Sequence, residues 1–254
     1  MSIKLIAFDF DGVFLDSAPE CHIIGLRAFQ EMGSKLKDSP ELKRNVRVAR
    51  TFVVSFYDYY YVFRAIEEEG TDFSKIKQED YDKLKEKYKD DNIEEYVKKA
   101  YGIRDELVEK SFDEWCNMQS IFPNIEKAYK KISAKHKTVI ATAKDSKSTY
   151  KLLKNLGFDI SEEDITGKEF SHKKADQMRK IAEVHNIKLD EILFVEDMLQ
   201  NLKDVMLLGV KGALVGWGYS SSEQKEEAKK FGIPIIESNN IVEQIEEIIN
   251  GECN

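Results

Sequence analysis

Lys4-Leu-Ile-Ala-Phe-Asp9-Phe-Asp11-Gly12 is a short apolar run that closes on two carboxylates and a glycine. Residues 3–8 are too few for a stable helix and read as a buried strand. Side chains two apart in an extended segment point the same way, so Asp9 and Asp11 are expected to face one cavity. Carboxylates that close repel unless a cation lies between them or one keeps its proton. A sheet end gains no stability from such a pair, so the pattern points to chemistry.

Working outward, comparable apolar runs recur at residues 137–142, 191–195 and 212–216, with a shorter one at 233–236. Helical patterns separate them, at 125–133, 147–156, 175–185, 199–208 and 222–231. Strands alternating with helices predict an α/β fold, a Rossmann-like parallel sheet covered on both faces. Ligands of such a sheet bind outside the carboxyl ends of its strands. The alternation stops between Ser17 and Ser120, where the period is helical and eight of the eleven tyrosines fall. That shift predicts an α/β core of residues 1–16 and 120–254 interrupted by an all-helical insertion of residues 17–119. Ile121-Phe-Pro-Asn-Ile125 reads as the turn and N-cap that return the chain to the core.

The composition narrows the classes. With 254 residues, 42% of them hydrophobic, the chain is long enough and apolar enough to bury a core. A net charge of −8 disfavours nucleic-acid or anionic-membrane partners, which want a basic face. No apolar run reaches the ~20 residues of a membrane span, and the apolar stretch broken at Asp9 is no signal peptide. Cys21, Cys116 and Cys253 suggest neither a disulfide framework nor a zinc site. A cytoplasmic globular protein is expected.

Further polar residues stand at the other predicted strand ends. Thr142 closes one run, Glu196 and Asp197 close another with Asn201 four positions on, and Lys173 and Lys174 precede a helix. Each has an ordinary reading: Thr142 as an N-cap, the lysines as solvent-exposed, the acids as helix-start charges. Arg44, Arg47 and Arg50, three apart, read as exposed helix residues in preference to an anion-binding face. The charged stretch 81–91 reads as a solvated helix face, and the tyrosines as helix packing.

In order, these features resemble the haloacid dehalogenase-like superfamily, mostly phosphatases and phosphomutases. The first motif would be Phe8-Asp9-Phe10-Asp11-Gly12-Val13, the second Thr142, the third Lys174 or Lys173, and the fourth Glu196-Asp197 with Asn201. The insertion lies where the family places a helical cap. Leu15-Asp16-Ser17-Ala18-Pro19-Glu20 resembles the cap entrance of the phosphoglycolate phosphatase-like and beta-phosphoglucomutase-like branches. Lys174 is favoured over Lys173 because Met178, four places on, shares its helix face, although the common Lys-Pro pair is absent. Ala143 departs from the Asn or Gly of many relatives.

The resemblance implies a small phosphorylated metabolite as substrate and magnesium as cofactor. Asp9 would attack phosphorus and carry an aspartyl-phosphate, while Asp11 would protonate the leaving alkoxide and then activate water. The metal would be held by the Asp9 carboxylate, the Asp11 carbonyl and Asp197, with Glu196 beside them. Thr142 and one lysine would bind the transferred group. The expected activity is a magnesium-dependent phosphatase, with phosphoglycolate as the family-level guess.

A beta-phosphoglucomutase-like mutase and a catalytically silent binding or regulatory domain are the alternatives. Against the silent domain, every charged group the chemistry needs has a candidate. Against the mutase, the hinge histidine of that branch falls on Cys21, with His22 one place and about 100° away. Asp11 disfavours dehalogenation, which has no alkoxide to protonate. A receiver-type domain would need an accepting aspartate on a later strand.

Overall fold

A computed structural model describes residues 2–251, so Cys253 lies outside the described residues. The chain divides into two compact units, Met1–Asp16 with Ile121–Asn254, and Ser17–Ser120.

The first unit is built on β1 (Leu5–Phe8), and the chain leaves it through β2 (Leu15–Asp16). The second unit holds only helices within its span: α1 (Ala18–Gln30), α2 (Pro40–Ala49), α3 (Phe56–Glu69), α4 (Gln78–Lys87), α5 (Ile93–Lys110) and α6 (Phe112–Asn117). The chain returns through β3 (Ser120–Ile121), which pairs with β2 in a two-stranded sheet. There follow α7 (Ile125–Ser133), β4 (Lys137–Ala141), α8 (Ser146–Asn155), β5 (Ile165–Thr166) and α9 (Lys174–Val184). The chain ends with β6 (Ile192–Glu196), α10 (Leu199–Met206), β7 (Lys211–Val215), α11 (Ser222–Lys230), β8 (Ile235–Ile236) and α12 (Ile241–Asn250).

The main sheet runs β5-β4-β1-β6-β7-β8, and each neighbouring pair is parallel. β1 is central because all four of its residues are buried and apolar, which suits a strand covered on both faces. Leu5 and Ala7 join Met178, Ile181, Phe194 and Leu202 on one face. Phe8 meets an aromatic cluster in which Phe14 lies 5.4 Å from Tyr129 and 5.3 Å from Phe158. Registers then fix the site: Phe8 is level with Ile140 on one side and Val195 on the other. The residues that follow on three strands therefore reach the same sheet edge together.

The insertion packs on aromatic rings. Phe29, Tyr60, Phe63 and Tyr96 interlock, and a Cβ at Gly25 would stand 2.8 Å from Phe63 and from the Tyr96 hydroxyl. Glu20 is wholly buried; Arg104 grips it with two bonds of 2.7 Å and Trp115 Nε1 donates a third of 2.9 Å. Tyr59, Tyr60, Tyr81, Tyr88 and Tyr96 are buried, as packing residues should be, whereas Tyr61 and Tyr101 are half-buried and Tyr57 is exposed. On α4 the buried Tyr81 and Leu84 alternate with exposed charges.

Several local expectations differ from the structure. Arg44 and Arg47 are exposed, but Arg50, just past the end of α2, is buried and donates to the Val53 carbonyl of the connection that follows. Asn124 sits at the start of α7 with φ of 67° and gives no side-chain cap; its amide donates instead to the Ser238 carbonyl, 2.9 Å away. Among the described residues no helix is long and apolar enough to cross a membrane.

Candidate active site

Asp9 follows β1 directly, and its backbone N–H donates to the Val195 carbonyl at 2.9 Å. Ahead of it the chain folds back tightly. Gly12 has φ of +91° and donates to the Leu15 carbonyl at 2.8 Å, a conformation that costs a residue with a Cβ. Asp11 therefore lies in a turn, not in a continued strand.

Asp9, Glu196 and Asp197 are all buried and offer carboxylate oxygens within 4.8 Å of one another. Glu196 is the last residue of β6; its Oε1 accepts from the Asp197 and Met198 amides at 2.9 and 3.1 Å, and Asn201 donates to Oε2 at 3.1 Å. These bonds fix the Glu196 carboxylate against the first turn of α10. Asp197 is held from the far side, accepting the Tyr219 amide on Oδ2 at 2.9 Å and the Ser220 hydroxyl on its carbonyl. Gly12 and Gly218 close around it, and a Cβ at either position would collide with its side chain.

Lys174 opens α9 and is buried, whereas Lys173 is exposed. Its Nζ donates to Asp9 Oδ1 at 2.5 Å and to the Ala141 carbonyl at 2.6 Å, and lies 4.0 Å from Glu196. Thr142, also buried, accepts the Lys144 amide on its hydroxyl at 3.0 Å. That bond leaves the threonine O–H proton uncommitted by the contact. The N-cap of α8 is Asp145, accepting from Ser148 at 2.7 Å, so Thr142 is not the cap. Gln177 ties the second and third segments together, donating to the carbonyls of Thr142 and Ser171 at 2.8 and 2.7 Å.

Electrostatics follow from this burial. Desolvation and the Glu196 charge push the Asp9 carboxyl up to about 7, against the pull of Lys174. Burial likewise pushes Glu196 up to about 8, although Lys174 opposes it. For Lys174 burial favours the neutral amine, but Asp9 and Glu196 outweigh it and the ammonium is held above its ordinary value. The site thus carries more buried negative charge than one lysine balances.

Of the residues singled out in the sequence, Asp9, Glu196, Asp197 and Lys174 converge within one cluster, and Thr142 stands next to Ala141, whose carbonyl Lys174 holds. The Asp11 carboxylate is not among the three that group within 4.8 Å, but its charge still acts on Asp9, and Lys144 Nζ is 3.5 Å from its Oδ1. Lys144 is 2% exposed, and the sequence does not signal it, because a lysine three places past a strand end gives no sign of burial. The loop Gly216-Trp-Gly-Tyr219 also belongs to the site, and its signal in the sequence is the pair of glycines after a strand, which marks close backbone approach. Its Trp217 Nε1 donates to the Val13 carbonyl at 3.0 Å and its Tyr219 hydroxyl to Asp16 at 3.0 Å.

The site can be set beside known proteins. A family model described as haloacid dehalogenase-like hydrolase matches residues 3–203. No curated protein matches the chain by sequence. Among solved structures, a haloacid dehalogenase-like family protein from Streptococcus pneumoniae is similar, with a TM-score of 0.64, 16% identity and coverage of 96% of this chain and 98% of that one. A predicted phosphatase from Clostridium acetobutylicum gives a TM-score of 0.64 at 18% identity, covering 97% and 100%. A predicted phosphoglycolate phosphatase from Haemophilus somnus gives 0.63 at 14%, covering 96% and 99%. At these identities the likeness is one of fold.

Proposed function

We propose that this chain, which belongs to the haloacid dehalogenase-like hydrolase family, is a magnesium-dependent phosphatase acting on a small phosphomonoester through an aspartyl-phosphate on Asp9. The observation that carries the reading is the buried cluster of Asp9, Glu196 and Asp197 with Lys174 bonded to Asp9. The donor set is all oxygen, which suits a hard divalent cation. The raised Asp9 and Glu196 carboxyls mark negative charge that such a cation would neutralise. Asp9, Asp197 and the Asp11 carbonyl would hold it, with Glu196 beside them. When bound, it would lower the repulsion between the phosphoryl oxygens and the attacking carboxylate.

The chain's own groups supply the remainder. Asp9 attacks phosphorus, and the P–O bond to the alcohol breaks. Asp11 gives its proton to the departing alkoxide, then takes one from the water that cleaves the acyl phosphate. Lys174 and Thr142 hold the oxygens of the transferred group. Ser17–Ser120 is the insertion that would be the family's helical cap. Hydrolysis is favoured over a mutase reaction because His22 is buried with Nε2 already 2.9 Å from Asp38, and Cys21 lies beside Glu20 at 3.3 Å. A chain of this composition is expected in the cytoplasm, with a metabolite as its partner.

The test is a screen of small phosphomonoesters for phosphate release. Release should need magnesium, stop with excess chelator and return when magnesium is restored. Full turnover in excess chelator would sink the metal assignment, and no release from any ester would sink the phosphatase.

A further inference from the structure

Gln177 is wholly buried in the first turn of α9, and the proposed chemistry gives it no step. Its Nε2 donates to the Thr142 carbonyl at 2.8 Å and to the Ser171 carbonyl at 2.7 Å. Three places earlier, on the same helix face, Lys174 Nζ donates to the Ala141 carbonyl at 2.6 Å. Two side chains of one helical turn thus take two consecutive carbonyls where the chain leaves β4. The amide cannot be turned over, since its oxygen would then face two carbonyl oxygens. In this orientation Oε1 is buried and has no hydrogen-bond partner among the described residues, a cost that an apolar side chain of the same length would not carry. What the glutamine secures in return is the placement of the two carbonyls it holds.

Building on the phosphatase reading, we propose that Gln177 is a positioning residue that sets Thr142 in register with Lys174, so that both meet one phosphoryl group. The two groups lie on separate segments, the end of β4 and the start of α9. Thr142 is also held by neighbours outside α9: its N–H donates to the Thr166 carbonyl at 3.0 Å and its hydroxyl accepts the Lys144 amide at 3.0 Å. The start of α9 is held through Ser171, whose hydroxyl accepts the Lys173 amide at 3.1 Å and donates to Asp176 at 3.0 Å. Gln177 bonds to both segments and so fixes one against the other. A misplacement of about 1 Å at a reacting group can cost about 100-fold in rate. Because Thr142 and Lys174 would meet the charge of the group in transfer, the loss falls on the transition state. The acids of the metal cluster are held by other bonds: Glu196 by Asn201 and the Asp197 and Met198 amides, Asp197 by the Tyr219 amide.

The experiment compares wild type with Gln177→Met, which keeps the length and loses the donors, and with Gln177→Asn, which keeps an amide one methylene too short for both carbonyls. Three quantities are read: kcat and KM on an aryl phosphate, the inhibition constant of orthovanadate, and the magnesium-induced rise in melting temperature. Orthovanadate takes the five-coordinate geometry of a phosphoryl group in transfer, so it reports on Thr142 and Lys174 together. In Gln177→Met, kcat should fall about 10- to 100-fold with KM little changed, and the vanadate constant should rise by a similar factor. Gln177→Asn should fall between that variant and wild type. The magnesium-induced rise should stay as in wild type for both. KM and the vanadate constant are unaffected by an inactive fraction, and the shorter variant carries the same test should Gln177→Met fail to fold. Unchanged kcat and vanadate inhibition overturn the assignment and leave the phosphatase standing. Loss of the magnesium response together with the other two overturns it as well, because the glutamine then supports the whole site. A wild type that cleaves no ester removes both readings.

Discussion

Asp9 and Glu196 hold protons in the folded protein that they would lose in the unfolded chain. Their carboxyls rise from 3.8 to about 7 and from 4.5 to about 8, chiefly because burial penalises the charged forms. Between about pH 4 and 8 the folded state therefore binds more protons than the unfolded state, and linkage requires stability to fall as pH rises through that window. Lys174 is raised instead, so its contribution is present throughout this range and is lost only at alkaline pH. In chelator, the melting temperature should drop from pH 5 to pH 8, by roughly 2–4 °C for each kcal/mol involved. Magnesium should raise it more at pH 8, where the carboxylates are charged, than at pH 5. Glu196→Gln should flatten the slope, since the amide has no charge to desolvate. A slope as steep in Glu196→Gln as in wild type would contradict this account of the site's electrostatics.

At the scale of elements, the loop after β7 and the turn after β1 act as one clasp on Asp197. Gly218 stands so close that an added Cβ would meet the Asp197 side chain and, at 2.8 Å, the Gly12 carbonyl. Gly218→Ala should cost about 1–3 kcal/mol of stability through overpacking. It should also weaken the magnesium-induced rise in melting temperature, because Asp197 must shift. Gly102 is a control: it is exposed within α5 and nothing lies within 4 Å of its added Cβ, so Gly102→Ala should stabilise by about 0.5–1 kcal/mol. Equal effects of the two substitutions on melting, measured by circular dichroism, would contradict the clasp.

Elements also show what the sequence could convey. β1, β4, β6 and β7 are mostly apolar runs of four or five residues, and their alternation with helices gives an α/β sheet because little else buries such strands. β5 is only two residues at the sheet edge, too short for any pattern. α12 does carry a helical period, in the buried Ile241, Ile245 and Ile248, but it follows the last strand and borders no site residue. Asp9, Glu196, Asp197 and Lys174 were legible because each sits against a strand or helix boundary. Lys144 and Gln177 were not, since their placement depends on contacts made across the sequence, from Lys168 and to Thr142. The turn at Gly12 likewise redirects Asp11 in a way that alternation along a strand does not convey.

For the whole molecule, one unit concentrates acids at the edge of a parallel sheet and the other is a helical insertion with its own aromatic core and a buried Glu20–Arg104 pair. The account stands or falls on whether phosphorus is ever bonded to this protein at Asp9. The direct measurement is acid-quenched mass spectrometry after incubation with magnesium and an aryl phosphate, whose good leaving group needs little help from Asp11. The account predicts one added phosphoryl group that maps to Asp9, accumulates in Asp11→Asn because its hydrolysis is slow, and is absent from Asp9→Asn. A phosphoryl group that persists in Asp9→Asn, or maps to any other residue in wild type, would contradict it.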